Sequence, residues 1–188
     1  MWTGDTAYWY KFSKEENRKI SIDEIVNSRN LLTIRFSTEN EIIDIWTSDN
    51  QEYYGRQTYF TCSHNEKKGN KYFSKSEKIG KDTAKLVFQM FKYYKILSMP
   101  VQDSIKGWYN GLDGRIYLVE YATPDQYSFK SYWTPSEFEN IPEAVNMNEF
   151  ITRLEVLLNQ EHKLEIFFNS LPIGKCYRYG SMSIRYKK

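Results

Sequence analysis

Hydrophobic and polar residues follow two different periods along this chain, and these periods predict where strands and helices lie. Short runs rich in β-branched and aromatic residues occupy 31–36, 41–47 and 53–62, with polar turns between them. Such runs are typical of antiparallel hairpins, so the first third of the chain is predicted to form a three-stranded β-meander. A short helix starting at Ile22 is predicted before it, because the stretch "SIDE" at 21–24 has the spacing of a capping box.

Two later segments repeat their apolar residues with the helical period of about 3.6. In 82–95 an apolar residue recurs every three or four positions, and Asp82 is placed to cap the helix. A second pattern of this kind covers 147–158, and 164–171 either continues that helix or forms another one. The sequence thus predicts two main amphipathic helices.

The middle of the chain, 106–133, carries the strongest turn signals. Asn-Gly and Asp-Gly pairs lie within 110–114, and the residues at 123–126 suit a type I turn. Because the flanking runs are aromatic and β-branched, a second three-stranded meander is predicted here. The lysine-rich stretch 63–82 is predicted to be a long exposed connection, and the C-terminal residues are predicted to form one strand bent at Gly180.

Two short stretches, "TYFTCS" at 58–63 and "SYWTPS" at 131–136, resemble each other. Each ends a predicted meander, and each is followed by a polar loop and an amphipathic helix. This order predicts an internal duplication of a meander-plus-helix unit. The alternative is convergent patterning, because helices placed after meanders are ordinary in α+β folds.

These elements predict an α+β fold of antiparallel β-meanders packed with two main amphipathic helices. The 188 residues suit a single domain spanning 1–188, with 20–100 and 101–188 as subdomain-like halves if the duplication holds. Aromatic residues make up 17% of the chain and include 16 tyrosines. This excess favours sheet, because aromatic side chains pack well on a pleated surface.

Charge and hydropathy bear on the partner of the protein and on whether it crosses a membrane. The 26 basic and 24 acidic residues nearly balance, which disfavours nucleic acid as a partner. No apolar run approaches the roughly 20 residues of a membrane span, so none is expected. The compartment stays open: cytoplasmic if Met1 is the native start, periplasmic or cell-surface if this is a mature domain without its signal. Cys62 and Cys176 either pair or remain thiols.

Candidate catalytic residues are few. Glu120 alternates with Ile116 and Leu118, so it is buried if that side of the strand is core, whereas burial of the opposite apolar side leaves Glu120 outside or under a loop. Cys62 and His64 share one side of a strand and form the other candidate, a nucleophile with its base. No metal motif and no nucleotide or phosphate fingerprint is present, so neither a metal nor a cofactor is expected.

Aromatic residues are the better functional lead. Trp9, Tyr10, Trp108, Tyr109 and Trp133 lie in aromatic clusters, and they are the candidate binding residues. Exposed tryptophan and tyrosine are typical of protein interfaces and of sugar-binding surfaces. Burial between the sheet and its helices is the alternative reading of the same clusters.

The sequence as a whole predicts a non-catalytic binding protein whose partner is another protein. A bacterial immunity or inhibitor protein and the soluble domain of a secreted lipoprotein are the two kinds of binder that suit this composition. An enzyme, hydrolase-like and with a site assembled from distant strands, is the first alternative. Carbohydrate binding through exposed aromatic residues is the second.

Overall fold

The chain forms one antiparallel sheet with helices on both of its sides. The computed structural model describes residues 4–63, 69–180 and 183–187. Its regular elements, in chain order, are α1 (Gly4–Lys19), β1 (Leu32–Ser37), β2 (Glu41–Thr47), β3 (Tyr54–Ser63), β4 (Lys71–Ile79), α2 (Lys81–Tyr93), β5 (Ile116–Ala122), β6 (Tyr127–Trp133), α3 (Pro142–Leu158), α4 (Gln160–Ser170), β7 (Lys175–Tyr179) and β8 (Ser183–Lys187). Short 3₁₀ helices cover Ile25–Asn27, Gln102–Ser104 and Pro135–Glu137. The predicted α+β class with antiparallel strands is confirmed.

The eight strands lie in the order β6-β5-β1-β2-β3-β7-β8, with β4 also paired to β3. Since β4 occupies one edge of β3 over its length, β2 and β7 lie one after the other along the opposite edge. The pairing of β1 with β5 brings strands of both predicted halves, 20–100 and 101–188, into the same sheet.

One side of the sheet, the α2/α3 face, carries the main hydrophobic core. Its strand residues include Ile34, Phe36 and Ile45, each at most 2% exposed, and they pack under α2 and α3. The predicted spans of β1, β2, β3, β6 and α2 agree with the structure to within two residues, whereas α3 begins at Pro142, five residues before the predicted start at 147. Gly80, not Asp82, occupies the N-cap of α2. Asn159, in a left-handed conformation, separates α3 from α4.

The other side of the sheet, the α1 face, is covered by a helix that the sequence did not predict. The helix at Ile22 is absent, and only a 3₁₀ turn follows, at Ile25–Asn27. Ser21 has a φ of 58°, so it ends α1 and does not cap a new helix. Ile20 and Ile22 instead pack on the sheet beside Ile42. The capping-box spacing was misleading because these residues lie just after a helix.

The lysine-rich stretch predicted to be a loop contains β4. Its nine residues pair with β3 throughout, from Gly55 opposite Ile79 to Ser63 opposite Lys71. Most of β4 is exposed, and charged residues on an exposed edge strand discourage pairing with other chains. This composition hid the strand, because a lysine-rich edge lacks the hydrophobic alternation of a half-buried strand.

Two other predicted strands differ from the structure. Residues 106–109 form no strand, so the second meander is reduced to the β5–β6 hairpin, which turns at 123–126 as predicted. The C-terminal residues form a hairpin of β7 and β8 where one bent strand was predicted. Gly180, with a φ of 70°, directly follows β7 and leads the chain away from that strand.

The structure does not confirm an internal duplication. β3, which holds "TYFTCS", is followed by a paired strand, whereas "SYWTPS" ends β6 and leads into a 3₁₀ turn and α3. β3 pairs with three strands, and β6 pairs with β5 alone among the described residues. The two stretches therefore occupy different positions in the sheet. Of the helices described, none is both long and apolar enough to cross a membrane.

Candidate functional site

A cleft of about 450 Å³ opens on the α1 face. It lies between α1, the turn that joins β1 to β2, and the loop 110–114, and Arg178 and Gly180 close one end. Clefts that bind small ligands or side chains have volumes of roughly 300–1,000 Å³. The cleft is therefore large enough to hold a ligand group.

One wall of the cleft is an aromatic cluster on α1. The ring centroids of Tyr8 and Trp9 lie 5.0 Å apart, and those of Trp9 and Phe12 lie 5.6 Å apart, both edge to face. Tyr8 and Phe12, one helical turn apart, stack at 6.1 Å. Tyr8 is 58% exposed and Phe12 is 38% exposed. This wall therefore presents aromatic surface to solvent.

The opposite wall is built around Trp133 at the end of β6. A Cβ added to Gly111 would lie 2.4 Å from the indole, and one added to Gly114 would lie 2.6 Å from it. The loop can thus approach the ring closely only because both residues are glycines. Leu112, between them, is completely exposed at the rim of the cleft.

Two carboxylates near the closed end of the cleft already have partners. Arg178 donates to both carboxylate oxygens of Glu16, at 3.0 and 2.7 Å. Glu39 accepts a hydrogen bond from the backbone N–H of Ile116 at 3.2 Å. Burial raises the pKa of Glu39 above its ordinary value. The charged groups of the cleft are therefore engaged within the protein.

Two of the five predicted binding residues meet in this cleft, namely Trp9 and Trp133. Tyr10 points to the sheet and packs edge to face on Phe129, 5.3 Å away between ring centroids. Trp108 is buried in the main core, and its indole N–H donates to the backbone carbonyl of Trp133 at 2.8 Å. Tyr109 is exposed but does not line the cleft.

Sequence reasoning missed Tyr8 and Phe12 as lining residues. It assigned no helix to this segment, and without one the sides on which the rings of 8–12 lie are undetermined. In the helix, the i and i+4 positions of Tyr8 and Phe12 bring them to one side, while Tyr10 points to the other. The spacing of these two residues was the signal that could have identified them.

Glu120 lies under α1 in a row of charged residues that crosses the sheet. It faces Arg35 in the neighbouring strand, Arg35 faces Asp44, and Asp44 faces Arg56, so acidic and basic side chains alternate. The Tyr127 hydroxyl donates to Glu120 at 2.6 Å. Nitrogens of Arg35 and Arg56 each lie 2.7 Å from Asp44 oxygens. We call Glu120, Arg35, Asp44 and Arg56 the charged row.

The charged row explains the burial of Glu120 without assigning it a reaction. Both sides of β5 are buried, because α1 and the 3₁₀ turn at 25–27 cover the side that bears Glu120. Burial raises the pKa of Glu120, while Arg35 and the Tyr127 hydroxyl act in the opposite direction. The two readings of the sequence were not exclusive, because the side that bears Glu120 and the opposite side are both buried.

The proposed Cys62 and His64 pair cannot be described as a unit. Cys62 lies at the end of β3, where it is buried, and burial raises the pKa of its thiol. His64 lies outside the described residues. Cys62 and Cys176 are both free thiols. Among the described residues, no group of three or more His, Cys, Asp or Glu side chains could hold a metal ion.

A second polar cluster interrupts the α2/α3 face beneath α4. Lys163 of α4 donates to the Gln57 carbonyl oxygen at 2.8 Å, and the Gln57 amide donates to Glu41 at 2.6 Å. Burial raises the pKa of Glu41 to about 7, although the Gln57 bond acts to lower it. Glu41 is 6% exposed and Gln57 is 0% exposed. The cluster can therefore titrate near neutral pH, but a substrate could not reach it without rearrangement.

No known protein family matches this chain, and no curated protein sequence matches it either.

Proposed function

We propose that this protein is a non-catalytic binding protein and that the cleft on the α1 face contacts another protein. The observation that carries the proposal is the exposure of Tyr8, Phe12 and Leu112 around one concave surface. Exposed aromatic residues beside a pocket are characteristic of the residues that dominate protein interfaces. Glu16 and Arg178 pair with each other and Glu39 accepts a backbone N–H, which suits binding more than acid-base chemistry.

An immunity or inhibitor protein is one setting that fits such a binder, and the soluble domain of a secreted lipoprotein is the other. Both need a specific contact surface and no reaction. The enzyme alternative has less support, because Glu120 and Cys62 lie in different buried surroundings. Glu120 belongs to the charged row, and Cys62 lies at the far end of β3.

Carbohydrate binding is a second candidate, and the pair Trp9 and Trp133 is the observation that favours it. Sugar rings present an apolar face that packs on flat aromatic side chains, and the cleft brings two indoles to one site. A protein partner has the stronger support, because Leu112 and Tyr8 extend the apolar surface beyond the cleft.

Site-specific photo-crosslinking tests the proposal. A photoreactive phenylalanine analogue replaces Leu112 at the rim of the cleft, and, as a matched control, Tyr93, which is 78% exposed on α2 on the other side of the sheet. We expect one partner to be captured at position 112 and not at position 93. Capture should be lost in Tyr8→Ala and retained when the photoreactive residue at 112 is combined with the control substitution Tyr93→Ala.

Three results would contradict the proposal: equal capture at both positions, capture that is insensitive to Tyr8→Ala, and no capture from cells that contain the natural partner. Circular dichroism of each variant shows whether the fold is intact. Tyr8→Ala should keep α1 helical, because alanine has a higher helix propensity than tyrosine.

A further inference from the structure

We infer that the cleft receives one uncharged aromatic side chain from the partner polypeptide. The inference rests on the proposed function and adds the chemistry of the group that is bound. Three features of the cleft carry it: its aromatic walls, its paired charges and its apolar floor.

The walls offer aromatic edges and faces on both sides of the space. Trp9 and Phe12 stand on α1, and Trp133 stands on β6. Aromatic pairs gain from edge-to-face or offset stacking, beyond the apolar area that they bury. An inserted ring would extend the existing arrangement, in which Trp9 already meets Phe12 edge to face.

The charged groups of the cleft already have partners within the protein. Glu39 accepts the backbone N–H of Ile116, and burial raises its pKa, which favours the uncharged form. Glu16 and Arg178 pair through two hydrogen bonds, although Arg178 Nε has no partner among the described residues. A carboxylate, phosphate or ammonium group would lose its hydration on entering and would have to compete with this pair. An uncharged side chain carries no such cost.

The floor distinguishes an aromatic side chain from a sugar. It includes Ile42, Phe60 and Leu118, which offer no hydrogen bonds. Sugar hydroxyl groups that face this apolar part would lack partners, which is costly, and only the polar residues elsewhere in the lining, such as Ser13, Asn17 and Thr38, could serve them. Ser37 also lines the cleft, but its hydroxyl is buried and has no partner among the described residues.

A peptide series tests the inference directly. The blocked pentapeptides Ac-Ala-Ala-X-Ala-Ala-NH₂, with X as Trp, Phe, Lys or Glu, and methyl glucoside are titrated into the full chain. Binding is followed by the NMR signals of the Trp9 and Trp133 indole N–H groups, assigned with single Trp→Phe variants. We expect the Trp and Phe peptides to shift both signals and to bind at least roughly tenfold more tightly than the Lys and Glu peptides.

Variants locate the binding in the cleft. Tyr8→Ala should weaken the Trp peptide severalfold, and the matched control Tyr93→Ala, on the opposite side of the sheet, should not change it. If the Lys or Glu peptide bound as tightly as the Trp peptide or more tightly, the bound group would not have to be uncharged. If methyl glucoside bound more tightly than the Trp peptide, the preferred ligand would not be an aromatic side chain. The absence of any shift would overturn a side-chain site here altogether.

These failures differ from a failure of the proposed function. If a partner is captured at position 112 and no peptide binds, the contact surface stands and the single-residue chemistry does not. If neither experiment succeeds, both proposals fall.

Discussion

The two sides of the sheet belong to the same strands, but they are covered by helices through different kinds of contact. On the α2/α3 face, Ile34, Phe36 and Ile45 form an apolar layer that two helices seal. On the α1 face, their neighbours Arg35 and Asp44 belong to the charged row. Alternation along a strand permits both patterns, because successive side chains point to opposite sides.

The difference shows how a cleft can persist on a folded sheet. Apolar side chains adapt to each other and fill the space beneath α2 and α3. α1 instead attaches at separate points, through polar contacts such as Thr6 with Ser131 at 3.1 Å and Glu16 with Arg178, and through the packing of Tyr10 on Phe129. A helix held at a few such points does not fill the volume beside it, and the cleft lies in that volume.

The largest effect is expected on the apolar side. Phe150 is completely buried against Phe36 and Phe91, with ring centroids 5.4 and 4.7 Å away. Phe150→Ala removes the ring and leaves a cavity, so the free energy of unfolding should fall by about 3–5 kcal/mol. Urea denaturation measures it. The same truncation at Phe12, which is 38% exposed, should cost much less. Equal losses would remove the contrast between the two sides.

The charged row should give the next largest effect. Asp44→Asn leaves two guanidinium groups, those of Arg35 and Arg56, without their shared counterion. Removing one partner of a buried pair typically costs about 3 kcal/mol or more, because the remaining charge stays buried. Replacing Arg35 and Asp44 together, as Arg35→Met with Asp44→Leu, should recover part of that loss, because it removes the buried Arg35 charge while Glu120 and Arg56 lose their neighbouring charges. A double variant no more stable than Asp44→Asn would show that the row itself stabilises the fold.

Much of the fold was predictable from sequence because most elements carry their own period. The strands at 41–47 and 127–133 and the helix at 82–95 combine clear patterning with one buried side, and local sequence is sufficient there. β4 and α1 lack that signal. The side of α1 that faces the protein includes Ser13, Glu16 and Asn17, all buried, so its pattern is not that of an ordinary amphipathic helix.

The candidate site was less predictable, because it depends on contacts between distant segments. Trp9 and Trp133 were identified individually as aromatic residues, but nothing local indicates that α1 and the end of β6 lie together. The charged row depends in the same way on strand register, since Arg35 and Glu120 are far apart in the chain and directly opposed in the sheet.

Glu41 is a buried carboxyl group on the otherwise apolar α2/α3 face, and it should make the stability of the fold depend on pH. Groups from three elements surround its carboxylate: Gln57 and Tyr59 of β3, Glu155 of α3, and Lys163 of α4. Because burial raises its pKa from 4.5 to about 7, the folded state binds a proton more tightly than the unfolded state does. The stabilisation from this group is complete below about pH 4.5 and is lost as pH rises to about 7.

The size of this effect has a ceiling of about 3 kcal/mol, the free energy that corresponds to the difference between the two pKa values. Glu41→Gln cannot ionise, so its stability should fall less between pH 4.5 and 7.5 than that of the wild type, as measured by urea denaturation at several pH values. Glu149→Gln, which changes an exposed residue of α3, is the control and should follow the wild-type profile. Parallel profiles for Glu41→Gln and wild type would contradict the assignment.

The smallest effect on stability is expected at the cleft wall, where a substitution should change the packing around Trp133 more than it changes the free energy of unfolding. In Gly111→Ala the new methyl group would lie 2.4 Å from the Trp133 indole, so the ring or the loop must move. Overpacking of this kind costs about 1–3 kcal/mol, and here the loop can absorb part of the strain because it is exposed. We expect the smaller end of that range, together with a shift in tryptophan emission. Asp113→Ala, in the same exposed loop, should change stability by less than about 0.5 kcal/mol and leave the emission unchanged. If Gly111→Ala behaved like Asp113→Ala, close packing of the loop on Trp133 would not define this wall, and the α1 face would owe its cleft to the attachment of α1 alone.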